Sequence, residues 1–209
     1  MGIWNRSRTT EDRPAVTDPE RIVWLVYWDH CAQDAWMYGS TITFRSTADV
    51  LFENTGMPPG FSVKEWFSST DYAEQRLEPQ LPLLLEGETY HVRVCREDEP
   101  ENGSFLRLNF YDRQGDLLEF QMIQGTGGCV TCPEGAFRYT AQLVEGGARR
   151  ICFHYLLLAE ESVWQELQEP LQSKDSAERK ALEQAVRAGR RTVRLAGGAC
   201  ALSTRRFQS

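Results

Sequence analysis

The residues of this chain whose types and spacing could do chemistry are few. Cys129-Val-Thr-Cys132 places two thiols at the spacing that shares a zinc ion or cycles a disulfide. A closed structural zinc site wants two further ligands, commonly a second pair at similar spacing, and the sequence holds no such pair. A redox pair wants its first cysteine at a helix N-terminus, where the thiol pKa falls, whereas a strand-like run follows Cys129. The favoured reading is two incidental loop thiols. His30, His91 and His154 lie beside or within strand-like stretches, with no HExxH, no GxSxG serine and no acid at catalytic spacing. Each reads first as an ordinary sheet histidine. Glu97-Asp98-Glu99-Pro100-Glu101 lacks the ordered ligand spacing of a calcium loop and reads as a solvated hairpin tip. Asp112 to Asp116 reads as a turn, and spacing alone nominates no carboxylate pair for glycoside hydrolysis. No catalytic residue, no metal site and no cofactor is expected.

Binding chemistry has better support, in the stretch Val50 to Tyr90. Two apolar runs flank Met57-Pro58-Pro59-Gly60, a strand, a stiff turn and a second strand. The long connection after Phe67 is polar and interrupted by prolines, a length that usually carries a site. Trp66, Phe67 and Tyr72 are flat rings able to stack on a sugar or anchor a protein interface. Trp66 and Phe67 are adjacent in a strand-like run and point to opposite faces, so at least one is expected to be accessible. Glu53 and Asn54 end the first strand; Asn54 either bonds the turn backbone or meets a partner. Arg76, amid prolines, invites a partner carboxylate, and His154 alternates with Phe153 and Tyr155, so it can face solvent or a partner.

These residues need a scaffold, and the hydrophobic pattern describes one. From Thr89 the period is two: Tyr90, Val92 and Val94 share a side. Leu106, Leu108 and Phe110 repeat it, then Leu118, Phe120 and Met122, then Phe137 to Leu143, then Ile151, Phe153, Tyr155 and Leu157. Ile22 to Trp28 is continuously apolar, as suits a strand covered on both faces, and Trp36 to Phe44 adds another with a bulge at Gly39. About nine short strands with glycine or asparagine turns predict an all-β jelly-roll-like β-sandwich over residues 21–159. Residues 1–20 are polar and proline-bearing, a mobile tail. Residues 160–209 form a helical and basic C-terminal extension: a short helix capped by Ser162 with Gln165 and stopped near Pro170, then a second from Ser173 to Arg191.

Charge narrows the partners. The 209 residues carry a net −7, yet residues 174–209 hold nine Lys/Arg against three Asp/Glu, a local +6 that leaves −13 for the rest. The body repels nucleic acid and anionic lipid, so no nucleic acid and at most peripheral membrane contact by the tail is expected. The six cysteines are too sparse for a small disulfide scaffold, no apolar signal segment opens the chain, and a cytoplasmic protein with reduced thiols is expected.

A set of residues in colinear order also carries a resemblance. Tyr38-Gly39-Ser40, Phe52-Glu53-Asn54, Met57-x-Pro59-Gly60, Trp66, Tyr72, Arg76 and Leu81-Pro82-Leu83-Leu84 are followed by Gly87-x-x-Tyr90 and Phe110-Tyr111-Asp112-x-x-Gly115. Pro133-Glu134-Gly135-Ala136, Tyr139 and Phe153-His154 complete the set. From about Val23 to Leu158 the chain resembles the third accessory secretory protein of the accessory Sec system, which exports serine-rich glycosylated adhesins in Gram-positive bacteria. The resemblance implies a non-enzymatic, cytoplasmic component acting with the first and second accessory secretory proteins. The dedicated motor ATPase and the glycoprotein substrate are further partners it implies. From Gly87 onward the pattern also resembles jelly-roll carbohydrate-binding modules, which leaves a stand-alone glycan-binding module as the alternative. If Trp66 or Tyr72 is a surface anchor, its replacement by alanine leaves the circular dichroism spectrum intact and abolishes association.

Overall fold

The computed structural model describes residues 21–30, 34–70 and 78–195. Eleven strands and two helices follow one another: β1 Arg21–Val26, β2 Thr41–Ser46, β3 Asp49–Glu53, β4 Ser62–Phe67, β5 Thr89–Glu99, β6 Ser104–Tyr111, β7 Leu117–Ile123, β8 Gly127–Thr131, β9 Arg138–Glu145, β10 Arg150–Glu160, α1 Glu161–Gln172, α2 Ala177–Arg187 and β11 Thr192–Leu195. The all-β expectation holds. One sheet runs β11-β1-β10-β3-β2, with β5 beside β10 and β8 beside β5; the other runs β4-β9-β6-β7. Period-two residues of the two sheets meet in one core, among them Val50, Phe52, Trp66, Val92, Val94, Leu106, Leu108, Phe110, Leu143 and Ile151.

β10 organises the larger sheet. Its first half lies between β3 and β5 and its second half between β1 and β5. The register against β5 slips between Phe153 and Tyr155, so His154 is the extra residue of a bulge. A single inserted residue reverses the face of everything after it. Ile151, Phe153, Leu156 and Leu158 therefore enter the core between the sheets, whereas Leu157 and Ala159 face the other way. The single face expected for Ile151, Phe153, Tyr155 and Leu157 is corrected accordingly.

That second face is covered by the C-terminal segment. Val23, Leu25, Tyr27, Leu157 and Ala159 pack against Trp164, Leu167, Ala185, Val193 and Leu195. β11 adds antiparallel to β1, from Arg21↔Leu195 to Trp24↔Thr192. The continuous apolar run at the start of β1 is thus covered on both sides, and residues 161–195 pack on the larger sheet as a further layer. Local details of that segment differ from the pattern-based reading. α1 begins at Glu161 after Glu160, with no side-chain cap, and carries Pro170 inside its last turn. α2 begins after Ser176, whose hydroxyl accepts from the Arg179 amide. Arg190 and Arg191 bind the body itself: the Tyr27 hydroxyl donates to the Arg190 carbonyl at 3.0 Å, and Arg191 meets Asp29 at 2.7 Å.

Of the strand expected over Trp36 to Phe44, the part from Thr41 is β2, and the part before it is a crossing. Trp36 N–H donates to Val63 on β4, Gly39 turns the chain at φ +68°, and β2 starts at Thr41 in the other sheet. β8 takes in Cys129, so this thiol, read from the sequence as a loop residue, is a strand residue. The expected mobile tail, residues 1–20, lies outside the described residues.

Burial and the nearby Asp29 push the Tyr27 hydroxyl up to about 12. Between about pH 10 and that value the unfolded chain releases a proton that the folded chain keeps, so this contribution to stability is lost as pH rises. In Tyr27→Phe the alkaline slope of stability in denaturant titrations should be shallower, and neutral-pH stability lower by about 1 kcal/mol for the lost hydrogen bond to Arg190.

Candidate functional site

The sequence-nominated residues fall into four different settings. Asn54 is the hub of a knot. Its amide nitrogen donates to the Tyr38 carbonyl and the Ser40 hydroxyl, both at 2.9 Å, its side-chain oxygen accepts from Gly56 N–H at 2.8 Å, and its own N–H donates to Arg149. All its bonding groups are spent on the backbone and Ser40, and it is buried. The Tyr38-Gly39-Ser40 turn and Asn54, fourteen or more residues apart in sequence, are therefore one unit. Its product is Tyr38, which stands 85% exposed. Tyr38 was visible in the motif but was not nominated as a site; no signal in the local pattern distinguishes a displayed tyrosine from a packed one. Glu53, beside the knot, is exposed and lies 3.7 Å from Arg150.

Trp66 and Phe67 do not present a ring to solvent, against the expectation that one would. Trp66 is fully buried, its indole N–H donates to the Tyr27 carbonyl at 2.8 Å, and its ring packs on Phe153. Phe67 is buried as well, beneath the returning connection: Gln80 and Leu81 amides donate to its carbonyl, and Gln80 Oε1 accepts from its N–H. Alternation sent the two rings to opposite faces, and the tethered 78–82 segment covers the second face. Tyr72 and Arg76 lie outside the described residues. His154 is half-buried at the β10 bulge, with Nδ1 donating to the Ala48 carbonyl at 2.9 Å.

Beside Trp66 lies a buried ion pair that no spacing rule announces. Lys64 and Asp34 are both almost fully enclosed and bonded to each other, and Lys64 Nζ also donates to the His30 carbonyl at 3.2 Å. Asp34 O accepts from Glu65 N–H, and the Trp36 amide bonds Val63, so the pair pins residues 34–36 along β4. Removing one partner of such a pair leaves a buried charge, at a cost of about 3–5 kcal/mol. Its role is architectural, holding the crossing that ends at Tyr38.

Two surfaces remain open. On the outer side of the smaller sheet, β7 is an end strand, and Leu118, Phe120 and Met122 follow one another at period two, each 44–54% exposed. Phe137 is 60% exposed, with the Arg113 guanidinium over its ring, and Gly135 lies against Leu118. Leu83 and Leu85, from the connection before β5, are also largely exposed. On the larger sheet, a cleft of about 510 Å³ opens between β5 and α1, lined by His91, Arg93, Trp164, Gln168 and Arg179 among others. His91 stacks flat on Trp164 with centroids 3.9 Å apart, which occupies one face of that ring. Burial holds the His91 pKa below its ordinary value.

Comparison places this two-sheet sandwich among accessory components of a secretion system. Residues 35–160 match the family model described as Accessory Sec secretory system ASP3, and the chain belongs to that family. The third accessory Sec system protein of Streptococcus gordonii is 35% identical over 125 residues, which is 60% of this chain and 79% of that protein. Its counterpart in Staphylococcus aureus is 25% identical over 135 residues, 65% of this chain and 42% of that one. Among solved structures, accessory secretory protein 1, 2 and 3 of Streptococcus pneumoniae superposes with TM-score 0.61 at 30% identity, over 69% of this chain and 98% of the matched chain. The glycosylation-associated protein (Gap123) complex of Streptococcus agalactiae gives TM-score 0.62 at 29% identity over 67% of this chain; this chain spans 45% of the one it matches. Among the described residues, no helix is long and apolar enough to cross a membrane.

The structure reverses the expected outcome for Trp66. Trp66→Ala should destabilise the fold by about 3–5 kcal/mol, seen as an earlier denaturant midpoint, because it empties a packed core position. Tyr38→Ala should leave that midpoint within about 0.5 kcal/mol, as an exposed side chain away from the core.

Proposed function

We propose that this chain is a non-enzymatic, cytoplasmic scaffold of an accessory Sec export apparatus, which holds the first and second accessory secretory proteins and assists transport of a serine-rich glycoprotein adhesin. The observation that carries the reading is the Leu118-Phe120-Met122 row with Phe137. A row of exposed apolar side chains on one face of an end strand is costly in an isolated molecule and is normally covered by a partner. Family membership supports the choice of partner, and the two solved relatives are themselves complexes bearing the names of accessory secretory or glycosylation-associated proteins. Tyr38, Glu53, Leu83 and Leu85 supply further contacts, with Tyr72, Arg76 and His154 as remaining candidates. The enclosure of Trp66 and Phe67 removes two of the three rings proposed as a stacking platform in the glycan-module alternative.

The test is co-expression with the first and second accessory secretory proteins. Phe120→Lys should leave circular dichroism and thermal midpoint unchanged, because the ring is solvent-facing, and should weaken co-purification at least about 10-fold, as for a central apolar anchor. Undiminished assembly of this variant would remove the β7 face from the proposal. A wild-type chain that stays monomeric beside both companions while binding immobilised glycan would favour the alternative.

A further inference from the structure

Cys129 and Cys132 are separated by the alternation of their strand. Cys132 is buried in the core between the sheets, whereas Cys129 is exposed on the opposite side. There Cys129 meets two residues distant in sequence: its Sγ lies 3.2 Å from Glu161 Oε2, and His91 Nδ1 lies 3.9 Å from the same oxygen. The three potential donor atoms all fall within 4.8 Å of one another. We propose that His91, Cys129 and Glu161 form a binding site for a borderline-soft divalent cation, zinc above all.

The donor set selects the metal class. One thiolate, one imidazole nitrogen and one carboxylate oxygen suit zinc, whereas magnesium and calcium take oxygen ligands almost alone. A tetrahedron with bonds of about 2.0–2.3 Å has edges of roughly 3.3–3.8 Å between ligand atoms. The 3.2 Å and 3.9 Å separations already straddle that range, and the third, between Cys129 and His91, is within 4.8 Å, so closure needs side-chain adjustments of no more than about 1 Å. Charge balances too, because thiolate and carboxylate neutralise a divalent ion once the thiol proton leaves to solvent.

The imidazole is aligned in advance. Stacking on Trp164 fixes the ring plane, and the lack of a side chain at Gly127 leaves space for Nε2, which would sit 3.4 Å from a Cβ there. Nδ1 is the nitrogen that faces Glu161. The ligands come from β5, β8 and the first residue of α1, so a bound ion clips the helical layer to the edge of the larger sheet. Three protein donors leave a fourth position for water or a partner's side chain. A second trio, Asp49, Cys152 and His154, is less suited: Arg45 already lies 3.8 Å from Asp49, and the Nδ1 of His154 is committed to Ala48.

The experiment is titration of the chelator-treated, reduced full chain with cobalt(II), followed by competition with zinc. The expected result is one cobalt per chain, the intense visible bands of tetrahedral cobalt and a near-ultraviolet sulfur-to-cobalt charge-transfer band. Cys129→Ser should abolish the charge-transfer band, and His91→Gln or Glu161→Gln should weaken affinity at least about 10-fold. Zinc should raise the thermal midpoint of the wild type and not of Cys129→Ser, which folds normally because the position is exposed. A wild-type spectrum without the charge-transfer band overturns the proposal. So does a band that survives Cys129→Ser, including one lost in Cys152→Ser, which would place the ion at the other trio.

Discussion

The architecture depends on burial of one strand on both faces. β10 is enclosed by the opposite sheet on one side and by the helical layer on the other, and the bulge at His154 divides its residues between the two. Without the inserted residue, period two would send Leu157 and Ala159 into the core and Leu156 and Leu158 out of it. The helical layer would then meet Leu156 and Leu158 and the core Leu157 and the smaller Ala159, so both packings would be filled by side chains of the wrong size. Because the bulge sits where β10 exchanges β3 for β1, the same irregularity sets both the pairing and the layering.

A second constraint acts on the connections. The chain leaves β1 and touches β4 through residues 34–36 before it starts β2 in the other sheet. Such a crossing exposes backbone groups that no ladder satisfies. The Lys64–Asp34 pair and the Asn54 knot satisfy and position it from either side, so two polar clusters with no catalytic part hold Tyr38 outward. The knot also explains why Tyr38-Gly39-Ser40 and Phe52-Glu53-Asn54 occur together in the family-like pattern.

For function, the contrast between the two kinds of aromatic matters. Tryptophans 28, 66 and 164 are fixed inside by packing, with partners for their rings, whereas Phe120, Phe137 and Tyr38 lie outside. Large apolar groups held on a rigid sheet lose little conformational entropy on association, which favours contact through that face. The helical layer adds a cleft against β5 lined by His91, Arg93, Gln168 and Arg179 together with Trp164 and Leu171, a mixed surface unlike the apolar row on β7.

Sequence alone determined what depends on local periodicity and composition: the sandwich class, most strands, the double-sided burial of β1, the presence of two C-terminal helices and the family pattern. It could not determine what depends on which chain segment lies over which. Alternation rightly sent Trp66 and Phe67 to opposite faces, yet only tertiary structure brought residues 78–82 over the second. Spacing rightly found no second cysteine pair for Cys129, yet only the fold brought His91 and Glu161 beside it. β11 is four residues long, too short to carry a period of its own, and exists because β1 offers an edge. Periodicity is written into neighbours along the chain; enclosure and juxtaposition are decided by residues tens or hundreds of positions away, and so appear only when the chain is folded.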